Sequence, residues 1–476
     1  MPDKASSKIV VAWEPEDTDP GNPLNWPAWK KWANVLVIST ISFLVPLVST
    51  MLAPAVQLVM QDFHTSSATF ATFCISIFVL GFASGPLLLA PLSELYGRVI
   101  VYHVTNVFFF CFTIMCAVSK SEGMLLAARF LSGFAGVATI TIGSGTIADM
   151  MPREERGRAV AIWSVGTILG PMVGPIIGGC VAERHGWRWM FWILSVAIGL
   201  VTIVAFLVLR ETNQSVLLER KASKLRRATG NPNYRSQLEP APNITPLEHF
   251  KRAIVRPTKM LLLWPMVTIL CSYVALLYST LYLLFATYSF VFKDVYHFTT
   301  FSAGLVFFAG GVGTLIGIPY VGILSDRTLK QRMQAGKTIT PEDRLPLIIT
   351  LPGALAFPIG LFVYGWSVEY NCHWIVPQIG TAITGFGSIL VFIAIQTYLM
   401  DAFEEYAASA VGANAVLRGI VAALVPLGGL DLYHRLGWGW GNSVLAFLAL
   451  AFAPVPMLMG AYGHKIRGME RFQVEL

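Results

Sequence analysis

Two arginines stand alone inside long apolar runs, Arg129 and Arg418. A guanidinium in hydrocarbon costs several kcal/mol unless it is paired or hydrated, so each marks a candidate functional position. Arg129 opens the string Arg129-Phe-Leu-Ser-Gly133-Phe-Ala-Gly136 and lies within about four turns of one end of its run. Its stem is long enough to snorkel toward the surface from there. Arg418 lies about twelve residues into its run, near mid-depth at roughly 1.5 Å per residue. Asn414 is one turn away on the same helical face. Arg418 is therefore the stronger candidate for contact with a solute. None of the 27 Asp and Glu residues falls in the middle of an apolar run. Asp149, Asp401 and Asp431 all sit at run ends. A proton carried by this chain would ride on an end-placed carboxylate, Asp149 or Glu94, or would not be carried at all. His103, also at a run end, is more readily a structural residue. Rings with polar tips, Tyr273, Tyr278, Tyr282 and Tyr288 on one run, and Phe73 and Phe78 on another, suit amphipathic or aromatic ligands and suit plain packing equally.

Catalysis finds little support. The eight histidines are scattered and the six cysteines make no paired ligand spacing, so no metal or cofactor is expected. The string Gly143-Ser-Gly145-Thr-Ile-Ala148 mimics a dinucleotide loop, but no strand precedes it.

The elements that must hold these residues are membrane helices. The chain of 476 residues is 55% hydrophobic and 13% charged, against about 25% charged in a soluble domain. Apolar stretches long enough to cross roughly 30 Å of hydrocarbon fall at 33–56, 68–91, 99–118, 124–148, 158–181, 187–209, 261–290, 302–324, 345–366, 373–400, 407–432 and 440–463. These read as twelve transmembrane spans in an all-α integral membrane protein. A polar tail at 1–32 precedes six spans over 33–209; a polar loop at 210–260 separates them from six more over 261–463, with a tail at 464–476. The first span is expected to anchor itself without a cleavable signal. Of the 34 Lys and Arg residues, 27 fall on the side of the two tails, 5 on the other side and 2 inside spans. That bias places both termini in the cytoplasm. The net charge of +7 is thus a topology and lipid-contact signal, with no nucleic-acid partner implied. On that side the triplets Asn213-Gln-Ser215 and Asn243-Ile-Thr245 should carry no sugar.

An internal repeat appears at an offset of 232: Gly81 and Gly85 match Gly313 and Gly317, and Leu92-Ser93-Glu94 matches Leu324-Ser325-Asp326. Two similar halves suit a carrier with its site between them. The turns after spans 2 and 8 carry Glu94 with Arg98, and Asp326 with Arg327. Such pairs are expected to act as latches that favour one facing and break for the other. In span 5, glycines at 166, 170, 174 and 178 form one stripe, with Pro171 and Pro175 between them. Small residues let helix backbones approach closely in lipid, and the prolines free carbonyls for other donors. Glycine-rich span 8 is the expected partner of this stripe.

The span 5 string resembles the fifth-helix motif of antiporters in the major facilitator superfamily. The turn after span 2 is similar to that superfamily's loop 2–3 motif, with Pro91 where glycine is usual and Glu94 where aspartate is usual. Arg129-x-x-x-Gly133 resembles its span 4 motif, whose arginine is linked to proton coupling. Asn22-Pro-Leu-Asn25-Trp26, Arg210-Glu211-Thr212, Leu217-Leu-Glu219-Arg-Lys221, Thr229-Gly-Asn231-Pro and Ala413-Asn414-Ala-Val-Leu-Arg418 with Pro426-Leu look like fungal twelve-span drug:proton antiporters. Sugar porters usually carry Pro-Glu-Ser just after span 6, where this chain has Arg210-Glu211-Thr212. The resemblance covers nearly the whole chain from residue 19. It implies a pseudo-symmetric major facilitator fold and a monomeric plasma-membrane exporter of xenobiotics or secondary metabolites driven by protons. An uptake carrier or uncoupled facilitator is the alternative, and a polytopic membrane enzyme a remote one.

Overall fold

A computed structural model describes residues 9–13, 19–238, 246–336, 340–403 and 406–467. Asn243, the first eight residues and the last nine lie outside the described residues. The chain is almost entirely helical. Ten spans run Ala28–Asp62, Ala68–Tyr96, Arg98–Ala117, Glu122–Met150, Glu155–His185, Trp187–Val208, Pro265–Val295, Thr300–Gln334, Leu347–Glu369 and Ile375–Ala402. The remaining apolar helix is one run, Ser409–Lys465, of 57 residues. At 1.5 Å per residue a straight helix of that length would reach about 85 Å, far beyond any bilayer. The run in fact folds at Gly437, whose φ of 76° lies outside the helical region. Spans 11 and 12 therefore occupy 409–436 and 438–465, and twelve crossings stand.

Gly437 also shows how the reversals are held. A Cβ there would lie 2.8 Å from the Glu369 carboxylate, and Glu369 Oε2 accepts from Gly439 N at 3.0 Å. The carboxylate thus caps the start of span 12, where helix donors are free and the dipole favours an anion. Gly97, with φ of 103°, reverses the chain between spans 2 and 3 in the same way. There Glu211 accepts from Arg98 N at 2.9 Å and Val99 N at 3.3 Å.

The buried side chains form two cores, one in the first half and one chiefly in the second that also takes in Ala53 and Ile75. The repeat seen in the sequence is a packing repeat. A Cβ on Gly81 would meet Phe130 O at 2.3 Å, and one on Gly85 would meet Phe134 O at 2.9 Å, both on span 4. Gly313 and Gly317 do the same against span 10, at Ala382 O (1.9 Å) and Ile389 (2.4 Å). Gly143 and Gly145 lie inside the span 4 helix and receive the Trp163 ring and the Arg98 guanidinium, so they hold no loop.

The span 5 stripe packs on span 1, which corrects the expectation of span 8. Cβ atoms at Gly166, Gly170, Gly174 and Gly178 would meet the carbonyls of Ser39 (2.9 Å), Phe43 (2.9 Å), Leu47 (2.7 Å) and Met51 (2.1 Å). Pro175 has no N–H for the Pro171 carbonyl, and Thr50 Oγ1 approaches that oxygen at 3.5 Å. Span 8 meets the neighbouring face instead: Gly179 lies against Thr300 O and Gly304 against Pro175 O. A period-four stripe selects one face of a helix, and span 1 claimed that face.

On the face that carries both tails, strand β1 (Ile9–Val11) pairs in parallel with β2 (Tyr234–Ser236). Lys221 Nζ bonds Asp19 Oδ2 at 2.8 Å and reinforces this clasp between tail and central loop. Asn213 is buried and its Oδ1 accepts from Ser215 N and Val216 N, capping the helix Gln214–Thr229. Its amide is therefore committed to the fold.

Candidate functional site

The halves meet closely at the ends of spans 5 and 8 opposite the tails. Besides the glycine contacts, Glu183 Oε2 accepts from Phe301 N at 2.6 Å, and Gln57 Nε2 donates to Asp294 Oδ1 at 3.3 Å. At the tail-side ends of the same spans, a Cβ on Gly157 or Gly322 would have nothing within 4 Å. The glycine contacts between spans 5 and 8 are thus confined to the end opposite the tails. Gly304→Val is expected to wedge that end apart, because its Cβ would sit 2.4 Å from Pro175 O. In a variant keeping only Cys180, impermeant maleimide applied opposite the tails should label faster after this change, and transport should fall. An unchanged labelling rate would contradict the seam.

Arg129 is fully buried, which excludes snorkelling. Its Nη1 donates to Val48 O at 2.7 Å, Nη2 to Ser49 O at 2.7 Å and Nε to Cys74 O at 3.0 Å. The local cause is a break in span 1. The helix ends at Met51 and passes through a 3-10 turn, Ala53–Ala55, that contains Pro54. Carbonyls of the last helical turn lose their usual donors at such a break. The guanidinium supplies them, and lies over the Phe78 ring with Cζ 5.0 Å from its centroid.

Arg418 is half-buried in span 11 and stacks on Tyr278 (4.2 Å) and Phe392 (5.1 Å). Among the described residues it makes no ion pair. One turn away, Asn414 is buried and its Nδ2 donates to Gln396 Oε1 of span 10 at 2.6 Å. Tyr282 stacks beside Tyr278 at 6.2 Å. It faces Ser49 of span 1 without forming a well-aligned hydrogen bond, and lies within electrostatic reach of both Arg129 and Arg418. One residue beyond Arg418, Gly419 packs on Ala83 of span 2. The two lone arginines, two tyrosines and Phe78 thus gather where the halves meet.

Arg98 turns to Asp149 rather than to Glu94. Its Nε lies 3.3 Å from Asp149 Oδ2, and its Nη1 donates to Ser93 Oγ at 2.8 Å. Thr212 Oγ1 also donates to Asp149, and Glu211 holds the Arg98 backbone. This network ties spans 2, 3, 4 and 6 within one half. Glu94, Asp326 and Arg327 are exposed and make no ion pair among the described residues. The second half has its own pair in the matching place, Arg344 Nε to Asp401 Oδ2 at 2.6 Å, before span 9 and after span 10. The sequence reading missed Arg344 and Glu211. The signal available was the matching carboxylate at the ends of spans 4 and 10.

Two six-span halves, with a polar and aromatic cluster at their junction, define a polytopic membrane carrier. The sequence profile of the Major Facilitator Superfamily matches residues 38–426, and the chain belongs to that family. It is 47% identical to the efflux pump radE of Floropilus chiversii over 98% of this chain and 86% of that one. It is 45% identical to the MFS-type transporter penM of Penicillium rubens over 99% of this chain and 92% of that one. The fold is similar to a bacterial homologue of the human lysosomal transporter Spinster, in an inward-facing, unoccupied conformation (TM-score 0.66, 16% identity, 94% of this chain and 100% of that). It is also similar to the xylose transporter XylE from E. coli in a partially occluded inward-open conformation (TM-score 0.62, 15% identity, 91% and 99%). The chain is a multi-pass membrane transporter, not an enzyme.

Proposed function

We propose that this transporter exports small organic compounds, xenobiotics or secondary metabolites, across the plasma membrane by alternating access. It works as a monomer with both termini in the cytoplasm, and exchanges its solute for protons. The observation that carries this reading is the half-buried Arg418 between Tyr278 and Phe392, beside the junction of the halves. It offers one charged group and two ring faces to an amphipathic solute. The relative named an efflux pump supports the direction of movement. Solute passes from one face to the other as the ends of spans 5 and 8 opposite the tails part and the tail-side ends close. The arginine pairs Arg98–Asp149 and Arg344–Asp401 brace the tail-side ends of the two halves.

Asp149 is the carboxylate we assign to the proton. Protonation would weaken its pair with Arg98 and its contact with Thr212, and so loosen the tail-side end of the first half. One inward proton supplies roughly 2.3 kcal/mol per 100 mV and about 1.4 kcal/mol per pH unit. In vesicles, wild-type transport should rise severalfold when a pH gradient is imposed. Asp149→Asn should remove that response while leaving downhill exchange measurable. A wild type indifferent to the gradient would end the antiport reading and leave the carrier. The second reading, an uncoupled facilitator or uptake carrier, is favoured by one observation: none of the 27 carboxylates lies mid-span. The direction of solute accumulation in cells separates the two.

A further inference from the structure

We infer that the solute is an organic anion: a flat apolar body bearing one ionised acid group, which pairs with Arg418. This inference rests on the carrier reading above and adds the charge of what is carried. Two guanidiniums lie at the junction of the halves, and their neighbourhoods differ. Arg129 spends its donors on three backbone carbonyls, which supply dipoles and no net charge. Arg418 has its guanidinium carbon over two rings. A ring face is no substitute for a carboxylate or carbonyl oxygen, so these contacts leave its N–H donors without such a partner. Among the described residues no carboxylate or carbonyl takes those donors. Asn414, one turn away on the same helix, gives its Nδ2 to Gln396, and its buried Oδ1 takes no donor from Arg418.

Among the described residues the site thus holds two positive charges and no acidic side chain. Charges away from water are retained when paired, and here the counter-charge comes with the solute. A cation would be repelled by both arginines. A neutral solute would leave the Arg418 edge unpaired in a desolvated site. A carboxylate or sulfonate matches the guanidinium fork with two parallel hydrogen bonds. The rings of Tyr278 and Phe392, continued by Tyr282, then cover its apolar body. An inside-negative potential adds to the outward drive on an anion of this kind.

The test uses the purified full chain in neutral detergent and three probes on one ring: naphthalene-2-sulfonate, naphthalene-2-sulfonamide and 2-naphthylmethylammonium. Thermal unfolding is followed against probe concentration. The sulfonate should stabilise the wild type at a concentration at least tenfold lower than either of the others. Arg418→Gln should lose that preference, and Arg418→Lys should keep it with weaker binding. The Arg418→Gln protein is first shown to unfold cooperatively in the absence of probe. Equal responses, no response to any probe, preference for the amide or ammonium, or an undiminished sulfonate response in Arg418→Gln would each overturn the inference. Loss of the sulfonate response on adding phosphatidylglycerol would also overturn it, by assigning the counter-charge to a lipid headgroup. Vesicles that move the amide or the ammonium but not the sulfonate would keep the carrier and discard the anion.

Discussion

Arg129→Gln is expected to cost the protein about 3 kcal/mol or more of stability, since hydrogen bonds to a charged group contribute roughly 1.5–3 kcal/mol each. Three such bonds are lost or weakened together, to Val48, Ser49 and Cys74. Those carbonyls sit where water does not reach, because Arg129 is fully buried. Glutamine is shorter and carries a single NH₂ group, so it cannot span the ends of spans 1 and 2 at once. Lysine fares little better, because one nitrogen replaces a three-pronged fork. The break in span 1 at Leu52 to Ala55 then loses two charged donors, at Val48 and Ser49. Thermal unfolding in detergent, with the yield of folded protein, checks this. An unfolding midpoint equal to the wild type's would mean that the three short contacts contribute nothing.

Arg418→Ala should do the opposite, and abolish transport, a loss of a hundredfold or more, with near-normal insertion and stability. The side chain has no partner whose loss would leave a buried group unsatisfied. Its contacts are two rings, Tyr278 and Phe392, which remain in tilted contact with each other at 5.7 Å. Removing it should therefore take away roughly 0.5–2 kcal/mol of cation–π energy at most. Initial rates in vesicles, normalised to inserted protein, measure the effect. Transport at the wild-type rate would remove Arg418 from the site.

The contrast between these two arginines could not be read from the sequence. Residue type and depth showed that both were out of place in hydrocarbon, and no more. The acceptors of Arg129 are backbone carbonyls freed by a helix break, and no residue type announces a carbonyl. The span count was legible, because twenty apolar residues admit few alternatives. The span 5 face was legible from the period of its glycines, but its partner was not. Period fixes which way a stripe points on its own helix, whereas the neighbour is a property of the whole bundle. The pairing of Arg98 with Asp149 was not legible for a related reason. Glu94 is four residues from Arg98 and Asp149 is fifty-one away, and local proximity favoured the wrong carboxylate. The repeat at 232 residues did better, since it tied Gly81 and Gly313 to equivalent seams in the two halves.

The central claim is that the two halves open alternately around the Arg418 cluster. Spin labels on a cysteine-free background report it directly: one pair replaces Arg184 and Phe301 opposite the tails, another replaces Arg158 and Asp326 on the tail side. Distances are measured in vesicles with and without a transported compound. The account predicts that the two distances shift in opposite senses, one lengthening as the other shortens. A transporting protein in which both stay fixed, or both move together, would contradict it.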